Sequence, residues 1–189
     1  SNENASARFG LRLEKAIFLD GVKSIYQTFW GCRSLTSVTL PSSLTAIGNR
    51  TFCDCSSLAG ITIPDAVTSV GDWAFRGCSS LTDIIIPDSV TSIGDGAFDG
   101  CSSLVNITIP DSVSHIGSGA FAGCSSLANI TLPKSLTVIG NRMFCDCSSL
   151  TAITIPSSVT SIGDSAFSYC NSLTSITVGT NNSSFSNDK

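Results

Sequence analysis

Residues 78–100 read CSSLTDIIIPDSVTSIGDGAFDG, and variants of this line fill most of the chain. Its cysteine recurs at one unvarying interval, at Cys32, Cys55, Cys78, Cys101, Cys124, Cys147 and Cys170. Each is followed three positions on by a Leu, and the first six also by a Pro nine on and a Gly sixteen on. Self-similarity at a short fixed period is the mark of a solenoid, in which each repeat forms one coil and touches only its neighbours. The fold class is therefore a repeat solenoid, and the chain is a scaffold that displays a surface.

Within residues 78–100 the apolar positions divide the coil. Leu81, Ile84 and Ile86 face one way, with Ile85 between the last two, and Pro87 closes the run. Alternating β-branched residues bounded by Pro predict a short half-buried strand. Val90 and Ile93 point inward through a polar stretch as a second short strand. Gly94 predicts a bend, Asp95 an N-cap, and Ala97 and Phe98 a short helical turn that Gly100 ends. Every coil thus sends Cys, Leu, four aliphatics, Ala and Phe inward. Strands of successive coils must pair in parallel, because every coil winds the same way. A Phe stack is expected at Phe52, Phe75, Phe98, Phe121, Phe144 and Phe167.

The ends depart from this pattern. Residues 1–8 are expected to be an unstructured or appended start. Residues 9–31 form a degenerate N-terminal coil that keeps Val22 and Ile25 but lacks one position between Ile25 and Phe29. Residues 32–178 hold six full repeats and the strand of a seventh. Residues 179–189 are a connector expected to continue in a longer parent. That end should leave Leu173, Ile176 and Val178 open to self-association, unless residues 184–189 fold back as a cap. Residues 32–54 and 124–146 agree at 16 of 23 positions, so a four-coil block has been copied.

Only 13% of the 189 residues are charged, and the net charge is −4. A mildly acidic chain lacks the basic face that nucleic acid or an anionic membrane demands. No apolar run approaches the length of a membrane span, roughly 18 residues. Seven of the nine cysteines belong to one inward column and are read as buried free thiols. The other two, Cys53 and Cys145, lie four repeats apart. With one His in the chain they give no zinc site, and no metal or cofactor is expected.

The run Ile-Pro-x-Ser-Val-Thr-x-Ile-Gly-x-x-Ala-Phe-x-Gly-Cys-x-Ser-Leu resembles the BspA-like leucine-rich repeat family over about residues 17–178. The resemblance implies a right-handed leucine-rich-repeat coil with its parallel sheet on the concave side. It also implies a secreted or cell-surface protein that adheres to other proteins, and it brings no catalytic residues.

Candidate contact positions are the outward residues of the strands: Thr39, Thr62, Asp83, Ile85, Asn106, Thr108, Asn129, Thr131 and Thr154. Thr on an exposed strand is also simply a good β-former. Ile85 breaks the Thr column beside Asp83. Arg50, Trp73 and Arg142 share one rim position, and Trp73 joins the candidates. Asp65, Asp88 and Asp111 form an acidic column after the prolines, read as solvated or as calcium ligands. Asn49, Asn106, Asn129, Asn181 and Asn182 open Asn-x-Ser/Thr sequons. His115 stands alone, so no nucleophile and base converge and no catalytic residue is expected. The expected function is a non-catalytic interaction or adhesion module for a protein or glycan partner, outside the cell or on its surface. The other reading is a structural spacer, or stalk.

Overall fold

A computed structural model describes residues 12–185. The start assigned to residues 1–8, positions 9–11 of the first coil and residues 186–189 lie outside the described residues. Among the described residues, fifteen short strands form two series. The longer series runs from Lys15–Ile17 to Ser175–Val178, and a two-residue series from Ser24–Ile25 to Ser161–Ile162. Every ladder is parallel, and Ile84 pairs with Ile61 before it and Ile107 after it, each exactly one coil away in sequence. Lys15 pairs with Ser37 and Ile25 with Ile47, a step shorter by one position. That shorter step is the residue missing from the degenerate first coil.

The interior is one column of side chains per inward position. Leu81, Ile84, Ile86, Val90, Ile93, Ala97, Phe98 and Cys101 are all buried, as are their equivalents through the middle coils. From Phe29 to Phe167 the rings stack with centroids 5.2–5.7 Å apart. Phe18 closes the front of the stack edge-on to Phe29, at 5.6 Å and 81°. Such contacts add roughly 0.5–1.5 kcal/mol per pair to the burial of the rings. All nine cysteines are free, and all are buried but the half-buried Cys170. From Cys55 to Cys170 each column thiol donates to a Phe carbonyl. Cys124 Sγ donates to the Phe98 carbonyl at 3.2 Å, and the same carbonyl accepts the Cys101 N–H at 3.1 Å. One small side chain thus fills a gap and satisfies a second lone pair.

The expected helical turn is not there, and no helix occurs among the described residues. Gly96 and Gly100 sit at φ 56° and 72°, in the left-handed region. A left-handed residue at every fourth position breaks the right-handed winding that a helix needs. The segment instead forms successive tight turns, with Asp99 N–H on Gly96 O and Cys101 N–H on Phe98 O. Every second N–H reaches the next coil: Gly96, Phe98 and Gly100 donate to Ser118, Ala120 and Ala122 at 2.9, 2.8 and 2.7 Å. This turn arm is a third intercoil ladder.

Asp95 also takes a different part from the cap expected of it. Its carboxylate accepts the N–H of Ser118, one coil on, at 2.7 Å. Asn49 does the same for Asp72, Asp72 for Asp95, and Asn141 for Asp164. Gly94 does more than bend the chain. A Cβ there would lie 2.6 Å from the Asp72 backbone nitrogen, so the glycine admits the preceding coil.

At the far end the connector turns inward. Asn182 Nδ2 donates to the carbonyls of Pro156 and Val159 at 3.0 and 2.8 Å, and Phe185 packs half-buried against the core. Leu173 and Val178 are half-buried, while Ile176 stays 48% exposed and Ile162 37%.

Candidate interaction surfaces

The longer strands bury alternate residues and turn the others out. Val38, Ile84, Ile107, Ile130 and Ile153 go in, with Ile61 half-buried. Thr39, Thr62, Asp83, Ile85, Asn106, Thr108, Asn129, Thr131 and Thr154 all go out, as the sequence reading expects. Register brings them into two columns. Thr62, Ile85, Thr108 and Thr131 are successive partners, and so are Asp83, Asn106 and Asn129. Thr154 and Thr177 hydroxyls meet at 3.0 Å. Ile85 is 81% exposed, and it borders a surface depression with Asp83, Asn106 and Thr108.

Trp73 does not join that face. It belongs to the turn arm, where its ring lies 4.7 Å from the Arg50 guanidinium. The candidate residues therefore fall on two separate surfaces. The rim position that Arg50, Trp73 and Arg142 share is left-handed, with φ of 54°, 53° and 53°. Gly96 and Gly119 occupy it in the coils between. These small residues, with Ala122, leave a trough bounded by Trp73 and Arg142. A left-handed L-residue costs roughly 1–2 kcal/mol. The sequence reading groups Arg50, Trp73 and Arg142 at this rim position, but its helical turn does not foretell the left-handed backbone they share.

The acidic column does not converge. Asp65 and Asp88 are exposed, while Asp111 takes the Lys134 backbone N–H at 2.9 Å and lies 3.5 Å from its ammonium. That N–H, and then the ammonium charge, hold the Asp111 carboxyl below its usual range. Among the described residues no three His, Cys, Asp or Glu side chains are grouped to hold a metal ion. His115 is exposed on a two-residue strand whose register partners are Ser92 and Ile93. Of the sequon asparagines, Asn49 is held at both side-chain ends by Asp72, and Asn182 by the last coil. Asn106 and Asn129 stand exposed on the strand face.

Burial sets the chemistry of the cysteines. It pushes the Cys124 thiol up to about 12, and the other column thiols upward as well. Cys53 rises to about 11, through burial first and then the neighbouring Asp54 charge. Thiolate, the reactive form, is suppressed.

Comparison with known proteins gives a consistent result. A family model described as a BspA type leucine rich repeat region matches residues 9–101 and 74–189. No curated protein matches the chain. A leucine-rich repeat protein of Bacteroides ovatus superposes with a TM-score of 0.79 at 40% identity, over 82% of this chain and 40% of that one. The Treponema pallidum leucine-rich repeat protein also gives 0.79, at 34% identity, over 86% of this chain and 78% of its own length. A pneumococcal vaccine antigen shares the fold at 21% identity and a TM-score of 0.56, over 90% of this chain and 52% of that chain. The chain thus spans less than half of the Bacteroides protein and most of the Treponema one.

Proposed function

The chain belongs to the BspA-type leucine-rich repeat family, and from that premise we propose that it is a non-catalytic interaction module of a secreted or cell-surface protein. Its partner is a protein or a glycan, engaged through side chains that recur from coil to coil. One observation carries this reading: the interior of each middle coil is filled by apolar side chains, and the chemically distinctive residues stand outside in registered columns. A stacked surface of this kind suits an extended contact, because coil spacing sets the distance between equivalent groups. Adhesion and an extracellular setting belong to the same proposal, by way of the family resemblance.

The strand face itself supports the spacer reading. Its columns are mostly Thr, Asn, Ser, Ala and Gly, without the Trp, Tyr and Arg that dominate interface hot spots. The test is capture of purified matrix proteins by the immobilised chain, beside a variant carrying Asp83→Ser and Ile85→Thr. Saturable capture of at least one protein supports the module. Failure of the whole panel, for this chain and for a longer parent alike, would leave the spacer.

A further inference from the structure

Three large side chains meet on the turn arm at the front of the stack: Trp30, Arg50 and Trp73. Trp30 is 39% exposed, while Arg50 and Trp73 are half-buried. The Arg50 guanidinium lies 4.7 Å from the Trp73 centroid and 5.8 Å from that of Trp30. Cation–π contact of this kind holds the planar cation and both indoles in one arrangement. Arg50 and Trp73 keep their bulk at a left-handed position where Gly96 and Gly119 serve later coils. Gln27, Arg142 and Ser165 hold the same left-handed conformation, and what sets Arg50 and Trp73 apart is their ring contact.

The neighbouring polar groups are already engaged. Arg76 Nε donates to Asp99 at 3.0 Å, Asn49 donates to Asp72 at 3.2 Å, and Asp54 accepts from Trp30 Nε1 at 3.4 Å. Among the described residues the Arg50 guanidinium has neither an ion pair nor a hydrogen bond. With indoles against it, it offers its in-plane N–H edge, a fork that fits a carboxylate bidentately. A saccharide needs several free donors and acceptors around its hydroxyls, and here they are spent. Trp, Tyr and Arg together are the side chains that carry most binding energy between proteins.

We propose that this patch docks a partner protein through an Asp or Glu carboxylate flanked by apolar side chains. The carboxylate takes the Arg50 edge, and its flanks lie on Trp30 and Trp73. The proposal rests on the module reading and assigns it a surface and a partner chemistry.

Trp30 and Trp73 are the two tryptophans of the chain, so indole fluorescence of the whole protein reports on this patch. Three probes are titrated: an acetylated octapeptide with Glu set among Leu residues, the same peptide with Gln for Glu, and alginate. A saturable change with the Glu peptide is expected, about tenfold weaker with Gln, and none with alginate. Arg50→Gly copies the natural solution at Gly96 and should fold, yet weaken the Glu peptide roughly thirtyfold. Arg50→Lys keeps the charge without the fork and should fall between. Equal response to Glu and Gln, response to alginate alone, no response, or unchanged binding by folded Arg50→Gly would overturn the proposal. Matrix-protein capture separates the two readings. A partner held equally by wild type and Arg50→Gly sinks the patch and leaves the module, while capture of nothing by this chain and by a longer parent sinks the module.

Discussion

Gly94 and Gly119 are both glycines of the turn region, and a side chain is disfavoured at each for a different reason. At Gly94 an added Cβ would meet the Asp72 backbone nitrogen at 2.6 Å and the Gly71 carbonyl carbon at 2.7 Å. Backbone cannot yield there without parting two coils. Gly94→Ala should therefore cost about 2–3 kcal/mol, read as a lowered denaturant midpoint. At Gly119 a Cβ would meet only Ala122 Cβ, at 3.9 Å, and the cost comes from φ +62°. Gly119→Ala should cost about 1 kcal/mol. Equal effects at the two positions would show that conformation, not contact, sets both. Arg50→Gly should run the other way and leave stability unchanged or raised by up to about 1 kcal/mol.

Among elements, the ladders of the turn arm and the Phe stack carry different loads. Asp95 accepts a single N–H from the next coil, and its carboxylate is exposed. Asp95→Ala should cost about 1 kcal/mol, whereas Asp95→Asn, the residue at Asn49 and Asn141, should be close to neutral. Phe98 is wholly buried, with ring partners on both sides. Phe98→Ala should cost about 3–5 kcal/mol. If thermal melts ranked Asp95→Ala above Phe98→Ala, the polar ladder and not the ring stack would be the main support.

At the scale of the whole molecule, the cysteine column ties stability to alkaline pH. An unfolded thiol ionises near its ordinary value of 9.0, whereas folded Cys124 keeps its proton up to about 12. Between those values the unfolded state binds fewer protons, so stability must fall as pH rises. It is fully present below about pH 9 and is lost through the window up to about 12, at about 1.4 kcal/mol per pH unit for each such thiol. Melting temperatures taken across the alkaline range should fall steeply, and Cys124→Ala should shallow the slope; a flat profile would mean that the column is not buried. Coils that touch only neighbours also imply a gradient of protection. Hydrogen exchange should be slowest in residues 78–146 and fastest beyond Cys170, where the last strand keeps Ile176 exposed. Uniform protection to the last residue would mean that the connector, begun by Asn182 and Phe185, is a complete cap.

The repeat made the inward residues legible. Cys, Leu, Ile, Val and Phe columns recur in phase, and a fixed period lets one coil stand for all, so parallel pairing and the ring stack follow from the sequence. The Thr and Asn columns of the strand face follow from simple alternation. The tertiary structure decided how the turn arm is built. Asp95-Gly96-Ala97-Phe98 looks like a capped helical turn when read alone. Only stacked against residues 118–122 do its N–H groups find carbonyls one coil away, which the left-handed glycines permit. Arg50 is remote in sequence from both Trp30 and Trp73, so neither contact belongs to a local pattern. They exist because adjacent coils bring these side chains together, and that proximity is a property of the stack.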